Sequence, residues 1–166
     1  MFSLLVMLLG LIIFIILCCS IPVTVAAIAY ASRKSKRKKI METLPSDLTY
    51  SVPVRLNTPK QNDAVMKLKA FEYSGVLYIH DNKICIKGTK GQYTEFNMTT
   101  CSIDWPGVQI QNGLIQWLCL TNNDLQRLYV NAETGLFIFR LSKKFPSTKE
   151  VFEYLKTQQN IAAIGR

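Results

Sequence analysis

The chain has little of what catalysis usually needs. It holds a single histidine, His80. It contains no Cys-x-x-Cys pair and no glycine-rich phosphate loop. Gly88 and Gly91 flank only Thr-Lys, which fits neither a P-loop nor a dinucleotide fingerprint. A metal site would want a second histidine or clustered carboxylates, and neither is present in the sequence pattern. A nucleophilic cysteine or serine would need a base within hydrogen-bond reach, and His80 is the sole imidazole. His80 follows Ile79 and precedes Asp81. Adjacent strand residues point to opposite faces, so this pair reads as the start of a turn and not as an acid–base couple. No catalytic residue, metal or cofactor is expected.

Charge is missing from a whole region. Residues 1–32 carry no charged side chain. Six cations then fall within seven positions: Arg33, Lys34, Lys36, Arg37, Lys38 and Lys39. The leader "MFSLLVMLLGLIIFIILCCSIPVTVAAIAYA" exceeds the roughly 20 apolar residues that cross a bilayer as helix. It lacks a basic start, and its apolar core is too long for a cleaved signal peptide. Leu17 before Cys18 fits a lipoprotein signal poorly. Residues 1–31 therefore read as an uncleaved signal-anchor, a single-pass transmembrane helix that Pro22 can divide or bend. Cations flanking a span stay on the cytoplasmic side. The expected placement is the cell membrane, N-terminus outside and C-terminal domain cytoplasmic, which would leave the Asn97-Met98-Thr99 sequon unmodified. The polybasic collar has two readings. It fixes topology and stays solvated, or its six cations also contact anionic lipid headgroups.

The net charge of +9 would suggest a nucleic-acid binder if it were spread over the chain. It is not. From Ile40 onward there are fourteen basic residues against eleven acidic, a balance of +3. That is an ordinary domain behind a basic collar, and no nucleic-acid partner is expected. Of the five cysteines, Cys18 and Cys19 lie inside the apolar leader, while Cys85, Cys101 and Cys119 are well separated. The odd, scattered set reads as buried structural thiols in a reducing compartment, not as a disulfide framework.

Residues 32–64 read as collar and linker. Pro45, Pro53 and Pro59 punctuate them, with one edge strand at most over 48–56. Residues 65–160 read as a mainly-β domain, and 161–166 as a tail. "GVLYIH" and "KICIKG" flank an Asp81-Asn82 turn, a hairpin with Ile84 and Ile86 on one face. "YTEFNM" follows, and then "TCSIDW" with Cys101, Ile103 and Trp105 inward. Pro106-Gly107 reads as a turn. "VQIQ" and "LIQWLCL" flank Asn112-Gly113, a second hairpin signal. "RLYV" and "LFIFRL" complete six or seven strands. Trp105 and Trp117 are expected at inward positions. Ser147-Thr148-Lys149-Glu150 is a capping box, and a helix follows with Val151, Phe152 and Leu155 on one stripe.

The fold class is thus α+β: one N-terminal transmembrane helix, then a bent antiparallel sheet or partly open barrel with one C-terminal helix. "SGVLYIHDNKICIKG", the Trp105-Pro106-Gly107 corner and "GLFIFRLSKKFPSTKEVFEYL" resemble the pleckstrin-homology-like domains of the bacterial and GRAM type. The resemblance covers residues 70–157. It implies a non-catalytic binding module for a headgroup, peptide or protein. Lys83, Lys87 and Lys90 stand where such domains grip phosphoinositides, although no arginine supplies a bidentate hold. A second basic group, Arg140, Lys143 and Lys144, reads as surface. The expected partners are membrane lipids and a membrane-associated protein. The other reading is an accessory subunit of a larger membrane complex, with Ala26, Ala27, Ala29 and Ala31 allowing close helix approach.

Overall fold

In the computed structural model, residues 2–62, 71–108, 115–135 and 145–164 are described. The first element, α1, runs without a break from Phe2 to Glu42, 41 residues, or about 61 Å at the usual helical rise. Leader and collar are one helix, and Pro22 does not divide it. From Val6 onward the apolar half lies bare: Val6 to Leu17, Ile21, Val25 and Ile28 are largely exposed. Among the described residues it is the one helix long and apolar enough to cross a membrane.

Seven strands follow: β1 (Tyr50–Asn57), β2 (Tyr73–His80), β3 (Lys83–Gly88), β4 (Tyr93–Asn97), β5 (Ser102–Val108), β6 (Gln116–Thr121) and β7 (Arg127–Ala132). A short turn of helix, α2 (Pro59–Asn62), leads out of β1, and α3 (Thr148–Ile164) follows the sheet. The strands form one antiparallel half-barrel in the order β4-β3-β2-β1-β7-β6-β5. The α+β class expected from the sequence is the class observed.

β1 is not an edge strand. It pairs with β2 along most of its length and with β7 through residues 54–57, so the sheet is centred on a stretch that reads as linker. Pro53 explains both the misleading signal and its tolerance. Its carbonyl accepts the Glu133 N–H at 2.9 Å, one step beyond the last β1–β7 pair. A residue's N and O point to the same side of a strand, so the missing N–H falls where that ladder has already ended.

Local chemistry accounts for the joints. Asp81 and Asn82 have φ of 47° and 60°, the left-handed pair that a two-residue hairpin turn demands. Gly75 faces Gly88 across β2–β3, and a Cβ on Gly75 would lie 2.5 Å from the Lys87 carbonyl oxygen. Pro106-Gly107 is not a turn. β5 continues through it with a bulge, register slipping between Asp104 and Gly107, and Gly107 takes φ of 74°. Ser147 and Glu150 form the reciprocal capping box, at 3.2 Å to the Glu150 N–H and 2.6 Å to the Ser147 N–H. The expected Asn112-Gly113 turn, the "LFIFRL" strand and the Arg140/Lys143/Lys144 group lie outside the described residues.

The inner face carries the core: Val52, Val54, Leu56, Leu77, Ile84, Ile86, Phe96, Ile103, Leu118, Leu120 and Val130, closed by Val151 and Leu155 of α3. Fully burying such side chains contributes roughly 1.5–3 kcal/mol each. Trp105 is half-buried against Phe152, ring centroids 5.4 Å apart. Trp117 lies elsewhere. It is buried on the outer face with Ile115, Cys119, Tyr129 and Phe71. Trp117 through Leu120 are all buried, so β6 offers no apolar–polar contrast from which parity could be read.

α1 lies against the outer face beside β2. Its turns from Ala29 to Lys36 line one cleft with Phe71, Tyr73, Thr89 and Lys90, and further on Lys87 donates to Thr43. The sheet end that carries Asn57, Tyr73, Gly88 and Arg127 therefore faces the apolar half of the helix.

Candidate functional site

The contact stripe on α1 is Ala26, Ala29, Tyr30, Arg33, Arg37 and Ile40, half-buried or buried at helical spacing of three and four. The remaining collar residues, Lys34, Lys36, Lys38 and Lys39, are exposed. The collar is thus split. Four lysines point out, and two arginines turn into the domain.

Both arginines converge on Glu133, the first residue past β7. Arg37 donates from its guanidinium to Glu133 Oε2, and Arg33 Nε lies 3.5 Å from Oε1. Arg55 comes from the outer face of β1, opposite Asn131 and Ser74, and brings a third guanidinium 3.7 Å from the same Oε1. Arg37 and Arg55 are each 4% exposed and the Glu133 side chain is fully buried. Phe71 forms the floor, with Arg33 and Arg55 at 5.1 and 5.4 Å from its ring centroid. Arg55 also donates to the Gly135 carbonyl at 2.9 Å. Its Nε and that of Arg33 are buried without a hydrogen-bond partner.

The charge balance at this junction is uneven: three guanidiniums share one carboxylate among the described residues. Burial first, and then the like charges of Arg33 and Arg37, lower the Arg55 guanidinium to about 10. It remains charged at neutral pH. Breaking such a buried pair from one side costs about 3–5 kcal/mol, because the partner is stranded.

Lys83, Lys87 and Lys90 are not brought to one ligand. Lys83 pairs with Glu95 at 2.9 Å, and Lys87 donates to Thr43 Oγ1 at 3.1 Å. Lys90 is exposed on the β3–β4 turn and lines a cleft of about 460 Å³ with Ser32, Arg33, Lys36 and Thr89. A smaller cleft near Pro45 gathers His80, Lys83, Cys85, Tyr93 and Glu95. Here His80 Nδ1 lies 3.0 Å from Asp81, contrary to the parity argument, because Asp81 has left the strand for the turn. Burial pushes the Cys85 thiol up, which makes it a poor nucleophile at neutral pH. No group of three or more metal-ligating side chains occurs among the described residues.

Compared with protein-family models and with curated proteins, the chain matches none. Sequence reasoning missed Glu133 and Arg55. Their only signal was a lone charge inside or beside an apolar strand pattern, "SVPVRLN" and "LYVNAETG".

Proposed function

We propose that the chain is a single-pass, signal-anchored membrane protein that presents its β domain in the cytoplasm as a non-catalytic binding module. One observation carries the reading. α1 is a single helix whose first half is apolar and bare and whose second half is basic and packed on the domain. The first half-buried position among the described residues is Ala26. Leu4 to Val25 then makes a span of about 33 Å, close to a hydrocarbon core of about 30 Å. The domain begins where the lipid ends. The positive side of the helix sets the orientation, N-terminus outside.

The curled sheet and terminal helix fit the pleckstrin-homology-like architecture, and the partner is an anionic headgroup, a peptide or a protein confined to the same membrane. Confinement raises effective concentration, so a weak interface suffices. The domain end bearing Lys90 and the β6–β7 turn faces the leaflet in this reading. That turn carries Leu125, 80% exposed with φ of 60°. Nucleic acid is not a partner, given the near-neutral domain. Ala27 and Ala31 stay exposed on α1, which favours as second reading an accessory subunit whose helix packs on other spans.

Two measurements test this. A cysteine at Asn160 in sealed cells should resist an impermeant thiol reagent until the membrane is opened; labelling in intact cells overturns the orientation. Photo-crosslinkers at Ala27 and at Lys87 should capture partners through Lys87; capture through Ala27 alone replaces the module by the subunit.

A further inference from the structure

We infer that Glu133 is a latch that withholds two collar arginines from the membrane, and that an anionic leaflet competes with it for them. The inference rests on the anchored reading above. Arg33 and Arg37 belong to the helix, whereas Glu133 and Arg55 belong to the sheet, so this ion cluster is what ties anchor to domain by charge. The cluster is frustrated. Three guanidiniums crowd one carboxylate, and each arginine that leaves relieves repulsion on those that stay.

Arg33 is the member free to leave first. It is the most exposed of the three, at 22%, and sits at 3.5 Å from the carboxylate. It lines the cleft shared by Ala29, Ser32 and Lys90. It stands eight residues past Val25, about 12 Å along the helix, near enough to the leaflet for acidic headgroups to attract it. With the latch closed, four collar lysines face solvent and the domain has a fixed stance on its anchor. With it open, six cations face the leaflet and the domain is free to turn. An anionic surface interacts differently with these two states and so shifts their balance.

The full chain in lipid nanodiscs tests this, with Cys18→Ser and Cys19→Ser, and spin labels at Ser35→Cys on α1 and Asp124→Cys on the β6–β7 turn. Both labelling positions are exposed. In neutral phosphatidylcholine the wild type should give one narrow distance. A second, broad population should grow with the share of phosphatidylserine and retreat in added salt. Glu133→Gln should display the broad population already in neutral lipid. Arg33→Gln with Arg37→Gln should display it in every lipid, with no response to phosphatidylserine, and leaves Glu133 paired with Arg55 if the single variant fails to fold. A wild-type distance that ignores phosphatidylserine overturns the competition, and a narrow distance in the double variant overturns the latch. A chain that does not enter nanodiscs at all overturns the anchored reading instead.

Discussion

The two faces of this one sheet are built on different principles. The inner face is apolar throughout and is closed by α3. The outer face buries Arg55, Asn57, Ser74, Asn131 and Glu133, with α1 and Phe71 against the arginines. Apolar packing is non-directional, so the inner face specifies compactness and contributes most of the stability. Buried ions and amides tolerate few arrangements, since each must find a partner. The outer face therefore specifies where the helix sits. A protein that only needed to be anchored would not require this, because a flexible linker would do.

The largest expected effect lies on the inner face. Phe96→Ala removes a fully buried ring from the core and should cost about 3–5 kcal/mol. Urea unfolding of the detergent-solubilised chain, followed by tryptophan fluorescence, measures it. A loss below about 1 kcal/mol would mean that the inner face is not the main source of stability.

Glu133→Ala separates the principles more sharply. It strands three guanidiniums and should cost about 3 kcal/mol, close to the inner-face loss. Replacing the whole cluster, with Arg33→Met, Arg37→Met, Arg55→Met and Glu133→Leu, should return stability to within about 1 kcal/mol of wild type, because well-packed apolar groups replace buried ions at little cost. Stability that stays low in the quadruple variant would mean that the charges stabilise in their own right.

The helix that closes the inner face depends on its first turn. Ser147→Ala removes the cap from the Glu150 N–H and should cost about 1 kcal/mol. Thr148 is the more interesting neighbour. Its hydroxyl accepts from Asn131 Nδ2 at 2.9 Å and from the Ala132 N–H at 3.0 Å, which ties α3 to β7 and to an outer-face side chain of that strand. Thr148→Val keeps the shape and loses both bonds, so it should cost more than Ser147→Ala in the same assay. The reverse order would separate the two faces completely.

The inner face was far more legible in the sequence than the outer one. Ile84 with Ile86, Cys101 with Ile103, the Asp81-Asn82 turn and the Ser147–Glu150 box each rest on neighbours within a few residues, and all are observed. The centre of the sheet was not legible, because Pro53 marks an edge by every local rule and only the position of Glu133 makes it harmless. The junction was legible by half. The collar announces itself as a run of six cations, but a run does not tell which members turn inward. Arg33 and Arg37 do so because they share a helical face with Ala26, Ala29 and Tyr30, and the acid that receives them is about a hundred residues away in sequence.

The smallest effect belongs to the exposed edge of the outer face. Tyr93 and Lys83 both donate to Glu95, and these bonds hold its carboxyl below the usual carboxylate range. A depressed carboxylate adds stability that is present above its unfolded pKa and fades as pH falls through the folded value. Glu95→Gln should therefore lower stability slightly at neutral and alkaline pH and leave it nearly unchanged at acid pH, which flattens the acid limb of the stability–pH curve. The group is exposed, so screening keeps the effect small and added salt should shrink it further. The Glu133 cluster is shielded from solvent and should hardly respond to the same salt. Equal salt sensitivity at Glu95 and at Glu133 would mean that water reaches the junction, and the outer face would then be a wet interface held loosely rather than a buried one that fixes the stance of the helix.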